Sequence, residues 1–214
     1  MLKSLRMKTG DPVQLIAAER LFLAVMQSVD GGDVRVQITE ALPSPEPDVR
    51  ITLVQGLPKA EKMEWIVQKA TELGVYSIQP VEMARSVAKI GEKDDKKRER
   101  LGRIALEAAK QAGRAHVPEV LPALRLSDAL QTLQGAVYVA WEEEGALVLS
   151  KAIAQDRPRE MTIVIGPEGG ITPEEVDSLR ANGAKTVTLG KRILRTETAG
   201  LCALAVAMAA LGEM

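Results

Sequence analysis

Residues 163–175 have the composition of a ligand-binding loop at the end of a β-strand. An apolar run, predicted as a strand, ends at Gly166, and the glycines at 169–170 follow within the turn. Thr172 and Glu175 predict a capping box where the next helix begins. Glycine lets a backbone approach a bound molecule closely, and open α/β sheets bind ligands at the carboxyl ends of their strands. The turn contains neither a Walker A motif nor a G-x-G-x-x-G fingerprint, so a phosphate cradle is not supported. A tight strand-to-helix turn without a ligand is an equally good interpretation.

Residues 187–200 form a second stretch of this kind, in which a predicted strand again leads through glycine into a helix. The connecting loop carries Lys191, Arg192 and Arg195, three cations within five residues. Such a density of cationic side chains suits an anionic partner. A charge run is more often a solvated surface, and taken alone this one favours that interpretation.

The composition excludes several kinds of chemistry. The 214 residues include one His and one Cys, so an internal disulfide, a zinc ribbon and a His-rich metal site are ruled out. We find no Ser or Asp partner pattern near His116, and the acidic run at residues 142–144 has no second carboxylate cluster. We therefore predict no metal site. Trp141, at the end of a predicted strand, is the better candidate for lining a ligand pocket.

The charges are unevenly distributed although 28 Lys and Arg nearly balance 29 Asp and Glu. Eleven basic residues oppose six acidic ones between residues 85 and 125, whereas three oppose nine between residues 141 and 177. The basic half, with Lys59, Lys62 and Lys69 on an earlier predicted helix, suits contact with phosphates. Ordinary solvated helices of mixed charge are the alternative.

The elements that must position these loops fall into two parts. Up to residue 42 the pattern indicates short strands, and the proline-rich residues 43–47 mark a boundary. Beyond it, predicted strands alternate with predicted helices, which favours an α/β fold on a mostly parallel sheet. The strands cover residues 51–54, 77–81, 136–140, 161–165 and 185–189, and the helices cover residues 59–73, 93–112, 173–181 and 198–211. We predict two domains, residues 1–47 and 48–214.

No targeting or membrane segment is recognisable in the sequence. The charged N-terminal residues 1–8 do not form a signal-peptide core, and the small-apolar run at residues 199–212 falls short of the ~20 residues that cross a bilayer. With one cysteine and no export signal, we predict a cytoplasmic protein.

Four motifs, in order along the chain, resemble those of the RsmE family of 16S rRNA (uracil-N3)-methyltransferases, which belong to the SPOUT class. They lie at residues 62–74, 107–114, 165–170 and 189–199, and the resemblance spans essentially the whole chain. It implies an α/β SPOUT methyltransferase domain with a C-terminal trefoil knot. It also implies a preceding small PUA-like β-barrel, expected to be truncated at its N-terminus, and a homodimer with the knot helices at its interface.

The resemblance further implies methyl transfer from S-adenosyl-L-methionine to N3 of a uridine in 16S rRNA of the small ribosomal subunit, without a metal. The residues expected to hold the cofactor are Trp141, Gly166, Pro167, Glu168, Gly169, Leu189, Gly190, Ile193 and Leu194. Arg195 is expected to stabilise the negative charge that develops on the uracil oxygens. Glu197 is expected to act as the base or to organise Arg195, and a purely structural pairing with Arg195 is equally open.

The expected RNA phosphate contacts are Lys59, Lys62, Arg85, Arg114 and Arg192. The expected partners are therefore 16S rRNA or the small ribosomal subunit and a second copy of the chain, with no membrane. Two alternatives stay open. One is a SPOUT methyltransferase that acts on another RNA base, and the other is a non-catalytic RNA-binding protein of ribosome assembly that keeps the fold.

Overall fold

The computed structural model describes residues 8–31, 33–143 and 147–214. Contacts divide the chain into two units. The first comprises the chain as far as Glu46 together with Gly113–His116, and the second comprises Pro47–Ala112 and Val117–Met214. The sequence-based prediction of two continuous domains, residues 1–47 and 48–214, did not assign Gly113–His116 to the first unit.

The first unit is built on an antiparallel sheet in the order β1-β2-β3. Its strands are β1 (Pro12–Ala17), β2 (Arg20–Asp30) and β3 (Asp33–Ala41). The short strands that the sequence pattern indicates up to residue 42 are thus present. The closure of this sheet into a PUA-like barrel stays a prediction.

Glu46 fastens the returning segment within the first unit. Its carboxylate accepts hydrogen bonds from Arg114 Nε at 3.1 Å and from the backbone N–H groups of Ala115 and His116 at 2.7 and 3.0 Å. Burial opposes the ionisation of Glu46, but the bonds from Arg114 and from the two N–H groups outweigh it and hold the pKa below its ordinary value. The Glu46 carboxylate is therefore charged at neutral pH and accepts hydrogen bonds from three consecutive residues.

The second unit is built on a parallel sheet, which confirms the predicted α/β class. Its strands are β4 (Arg50–Gly56), β5 (Ser77–Glu82), β6 (Glu119–Val120), β7 (Leu124–Arg125), β8 (Ala136–Ala140), β9 (Glu160–Ile165) and β10 (Lys185–Val187). They follow the order β10-β8-β9-β4-β5-β6, and β7 also pairs with β5. Val187 lies opposite Ala140, Ala140 opposite Ile165, and Ile165 opposite Gln55. Four strands therefore end side by side, so the loops that follow them meet at one edge.

Helices cover both faces of this sheet. They are α1 (Ala60–Glu72), α2 (Asp94–Ala112), α3 (Leu126–Ala129), α4 (Leu149–Asp156), α5 (Pro173–Ala181) and α6 (Thr196–Leu211), with a 3-10 turn at Leu130–Thr132. Leu53 and Ile163 enter a core shared with α1, α4 and α6, whereas Val54 and Val164 enter a second core with α3 and α5. Burial on both faces explains why the strands are apolar runs rather than alternating ones.

The predicted elements of the second unit are all present, with small shifts at their ends. The helix predicted from residue 198 begins at Thr196, and the strand predicted to reach residue 189 ends at Val187. The structure adds α3, α4, β6 and β7, which the sequence patterns did not separate. The trefoil knot stays a prediction. Among the described residues, no helix combines the length and the apolarity that a bilayer crossing requires.

Candidate active site

A cavity of about 450 Å³ lies in the second unit, at the edge where the parallel strands end. The loops that follow β8, β9 and β10 meet there, together with the first turns of α1 and α6. Its walls are formed by Lys62, Ala140, Trp141, Glu142, Ile165, Gly166, Pro167, Glu168, Gly170, Ile171, Thr188, Leu189, Gly190, Lys191, Arg192, Ile193, Leu194, Arg195, Thr196 and Ala199. The cavity has the size of a small-ligand pocket, about 300–1,000 Å³.

One wall is the Gly-rich turn, residues 166–172, which is held by close packing. A Cβ at Gly56, the last residue of β4, would lie 2.6 Å from Pro167 Cδ and 2.9 Å from the Gly166 carbonyl carbon. Real side chains do not approach backbone this closely, so only glycine permits this contact between β4 and the turn.

The end of the same turn is fixed by the cap of α5. Thr172 Oγ1 accepts a hydrogen bond from the N–H of Glu175 at 3.3 Å, and the Glu175 carboxylate accepts one from the N–H of Thr172 at 3.0 Å. This is the capping box that the sequence pattern predicts. Glu175 also accepts a bond from the N–H of Ala84 at 2.7 Å, which joins the turn to the residues after β5.

Thr196 ties the turn to α6. Its hydroxyl donates to the carbonyl oxygen of Gly166 at 2.6 Å and accepts from Gln55 Nε2 at 2.9 Å. Both Thr196 and Gln55 are buried, so the orientation of the Gly166 carbonyl is set from inside the fold. Sequence analysis did not single out either residue. The position of Thr196 between Arg195 and Glu197 is the sequence feature that could have indicated a role for it. No sequence feature indicates a role for Gln55.

A cluster of three charged side chains stands beside this wall. Lys62 Nζ lies 3.2 Å from Glu168 Oε1 and 3.0 Å from Glu197 Oε2, and the bond to Glu197 is the main reason that the pKa of Lys62 lies above its ordinary value. Burial opposes the ionisation of both carboxylates, but hydrogen bonds from their own backbone N–H groups and the ion pairs with Lys62 hold each pKa below the ordinary value. All three groups are therefore charged at neutral pH.

The opposite wall is the loop at residues 188–195, whose side chains are largely exposed. Lys191, Arg192 and Arg195 are exposed cations, and Ile193 is 85 % exposed. The carbonyl of Arg195 accepts hydrogen bonds from the N–H groups of Thr198 and Ala199 at 2.8 and 2.7 Å. The backbone of Arg195 is thus fixed at the start of α6, while its side chain is exposed and lines the cavity.

The structure brings together most of the residues predicted to hold the cofactor. Eight line the cavity: Trp141, Gly166, Pro167, Glu168, Leu189, Gly190, Ile193 and Leu194. Gly169 instead packs against Arg85, since a Cβ there would lie 2.7 Å from Arg85 Cβ, and Arg85 Nη1 donates to its carbonyl at 3.1 Å. Arg195 lines the cavity, and Glu197 adjoins it through Lys62.

The five predicted phosphate contacts differ in their surroundings. Lys59, Arg85 and Arg192 are exposed. Lys62 is paired with two carboxylates, and Arg114 is 5 % exposed and bonded to Glu46 in the first unit. Carboxylates within the fold already match the charges of Lys62 and Arg114. The phosphate contacts stay a prediction for all five residues.

No metal centre is found among the described residues, where no three His, Cys, Asp or Glu side chains are grouped as ligands would be. His116 Nδ1 lies 3.0 Å from Glu19 Oε1 in the first unit, and Cys202 is a partly buried residue of α6. Glu144, from the acidic run noted in the sequence, lies outside the described residues.

Comparison with known proteins identifies the family. The profile of the RNA methyltransferase domain family matches residues 45–208. Ribosomal RNA small subunit methyltransferase E of Bacillus subtilis is 40 % identical over 211 residues, which cover 94 % of this chain and 82 % of the relative.

Solved structures agree with this match. Ribosomal RNA small subunit methyltransferase E from Neisseria gonorrhoeae, bound to S-adenosyl methionine, has a TM-score of 0.85 at 29 % identity and covers 97 % of this chain and 86 % of its own. A methyltransferase from Legionella pneumophila, in complex with the same cofactor, has a TM-score of 0.77 at 31 % identity and covers 98 % and 87 %. The chain therefore belongs to the ribosomal RNA small subunit methyltransferase E family and carries its SPOUT-type RNA methyltransferase domain.

Proposed function

We propose that this protein uses S-adenosylmethionine to methylate N3 of a uridine in 16S rRNA of the small ribosomal subunit. The observation that carries the proposal is that the Gly-rich turn and the cationic loop, two motifs of the family, form opposite walls of one cavity. Relatives in the family are named for methylation of small-subunit ribosomal RNA, and two solved neighbours hold S-adenosylmethionine.

The cavity suits a cofactor that has a purine, a sulfonium and an amino-acid end but no phosphate. Leu189, Ile165 and Leu194 supply apolar surface, and the Gly-rich turn supplies backbone polar groups beside it. Glu142 and the cations of residues 188–195 supply charges of both signs for the amino and carboxylate groups. When bound, S-adenosylmethionine supplies a methyl group already activated for transfer.

Arg195 is the residue that we assign to the uracil. N3 of uridine carries a proton and becomes nucleophilic only as that proton leaves, which places negative charge on the neighbouring ring oxygens. A guanidinium remains protonated throughout, so Arg195 stabilises that charge and cannot accept the proton. Its exposed position at the cavity opening is compatible with an approaching RNA base.

Between the two roles left open for Glu197, the structure favours organising Arg195. An efficient general base has a pKa near the operating pH. Burial pushes the pKa of Glu197 upward, but its backbone N–H, Lys62 and Arg195 together hold it below its ordinary value. Glu197 is therefore a weak base at neutral pH, and it acts on Arg195 while its charge is shared with Lys62, 3.0 Å away.

The remaining parts of the proposal concern the partners. Lys59, Arg85 and Arg192 are the proposed RNA phosphate contacts, because their side chains are exposed. A homodimer formed through α6 is supported by its partly exposed Leu201 and Cys202. The proposed substrate places the protein in the cytoplasm, where ribosomal subunits are assembled.

The test is methyl transfer from labelled S-adenosylmethionine to small subunits and to free 16S rRNA that lack the modification, followed by nucleoside mapping. Label on N3 of one uridine supports the proposal. Label on a different base shows the rival SPOUT activity. If calorimetry detects no binding of S-adenosylmethionine while the protein still binds RNA, the result supports the non-catalytic assembly protein.

A further inference from the structure

We propose that Lys62 is a positioning residue for methyl transfer. By pairing with Glu197, it keeps that carboxylate from drawing Arg195 away from the substrate. The inference rests on the proposed function, since it concerns how the residue assigned to the uracil is kept available. It replaces the phosphate contact that the sequence suggested for this lysine.

Lys62 connects three elements that approach the cavity from different directions. It lies in the first turn of α1, and its ammonium contacts Glu168 of the Gly-rich turn and Glu197 of the first turn of α6. Glu168 Oε1 also accepts a bond from the N–H of Lys59 at 3.2 Å, so the same carboxylate serves the N-terminus of α1. The three side chains are only 18–28 % exposed, which keeps their interactions from being fully screened by water.

The charges alternate from the Gly-rich turn to the cavity opening: Glu168, Lys62, Glu197 and then Arg195. Within this series Lys62 supplies the close cation of Glu197. Without it, Glu197 and Glu168 would lose the cation that they share, and the charge of Arg195 would still act on Glu197. The guanidinium would then be drawn towards Glu197 and away from the substrate, at the cost of the charge stabilisation that we assign to it.

The other contacts of the Gly-rich turn separate this role from cofactor binding. The turn is held independently by Gly56, by Thr196 and by the capping box of Thr172 and Glu175. Loss of Lys62 therefore leaves most of the cofactor wall in place. The effect is expected in the rate of transfer and not in cofactor affinity.

Titration provides a second signature. Glu168 of the turn and Glu197 of α6 are the charged groups that contact Lys62, and the charge of Arg195 also acts on Glu197. Removing the ammonium takes away a stabilising cation from two carboxylates and leaves them near a like charge, and both changes raise the pKa of a carboxyl group. A protonated Glu197 no longer draws Arg195, so the loss of kcat in Lys62→Met relative to the wild type should shrink as the pH falls.

The experiment compares Lys62→Met with Lys69→Met, a matched control on the same helix. Lys69 is 30 % exposed against 28 % for Lys62, and it is ion-paired with Glu72 at 2.8 Å. We expect Lys62→Met to lower kcat about 10- to 100-fold, the scale of a misplaced catalytic group. This loss should shrink as the pH falls, the Kd for S-adenosylmethionine should stay within about threefold, and Lys62→Arg should recover most of kcat. Lys69→Met should match the wild type.

A double variant keeps the inference testable if Lys62→Met is poorly folded. Lys62→Met combined with Glu197→Gln removes the uncompensated carboxylate, so Arg195 is no longer drawn inward and kcat should exceed that of Lys62→Met alone. Wild-type kcat in Lys62→Met overturns the positioning role. A higher KM for RNA with unchanged kcat, together with a weaker salt dependence of RNA binding, also overturns it. That result would support a phosphate contact by Lys62 instead. Lack of methyl transfer by the wild-type protein overturns the proposed function instead.

Discussion

The two walls of the cavity are built on opposite principles. The Gly-rich turn at residues 166–172 is fixed by backbone contact with Gly56, a hydrogen bond from Thr196 and a helix cap. The loop at residues 188–195 fixes its backbone at the start of α6 and leaves its cations and Ile193 exposed. The difference indicates a division of labour, in which a preorganised wall shapes the cofactor site and an exposed wall meets the RNA.

The largest expected effect comes from the exposed wall. Arg195→Ala should lower kcat about 10²- to 10³-fold, the range found when one preorganised donor to a developing oxyanion is removed. Affinity for S-adenosylmethionine should change little, because the fixed wall is intact. Single-turnover methyl transfer and calorimetry measure the two quantities. Wild-type kcat with unchanged cofactor affinity would show that Arg195 is not the residue that serves the uracil.

The second-largest effect is expected from Gly56→Ala, which adds one methyl group against the Gly-rich turn. In Gly56→Ala the new Cβ meets the backbone of Gly166 and Pro167, and we expect a loss of about 1–3 kcal/mol in the free energy of unfolding. Cofactor affinity should fall with it, because the turn must move.

Gly102→Ala is the matched control for this substitution. Gly102 lies inside α2, with nothing within 4 Å of the position of a new Cβ, so alanine there should add about 0.5–1 kcal/mol of stability. Denaturant titration and calorimetry compare the two variants. Equal effects would mean that the packing of Gly56 against the turn does not shape the cofactor wall.

A smaller effect is expected from the cap of α5. Thr172→Ala removes the acceptor for the Glu175 N–H and should lower the free energy of unfolding by about 1 kcal/mol. Thr172→Ser keeps the hydroxyl and should stay close to the wild type. Thermal unfolding of the three proteins measures the difference, and a Ser variant as unstable as the Ala variant would show that the cap is not the cause.

The smallest expected effect tests whether the exposed loop contacts RNA. Arg192→Gln should weaken RNA binding a few-fold and reduce the slope of log K against log salt by about 1, without changing cofactor affinity. Lys151→Gln, an exposed residue of α4 that does not line the cavity, serves as the control. An unchanged slope for Arg192→Gln would remove this arginine from the proposed RNA contacts.

Sequence reasoning succeeded where the signal was local. The capping box needs only Thr172 and Glu175, three residues apart, and the strands of the sheet are continuous apolar runs. The place of the cavity at the carboxyl ends of the strands followed from the general rule for open α/β sheets. The helix at Leu149–Asp156 escaped notice because eight residues give too short a periodic pattern.

Sequence reasoning did not find the ion-pair partners of the charged residues, because those partners are distant along the chain. Glu168 is 106 residues from Lys62, and Glu46 is 68 residues from Arg114. A lysine and an arginine in a basic half look like phosphate contacts until the fold places carboxylates against them. Gln55 shows the same limit, since the bond that gives it a role joins it to Thr196, 141 residues away.

The return of Gly113–His116 to the first unit bears on how separable the two units are. A chain shortened to begin at Pro47 would keep Arg114 but lose Glu46, leaving a guanidinium and two N–H groups without the carboxylate that serves them. The N-terminal unit is thus interleaved with the methyltransferase domain in sequence and is not a detachable module. Exchanging it between relatives would require replacing two segments together, the N-terminal strands and this four-residue return.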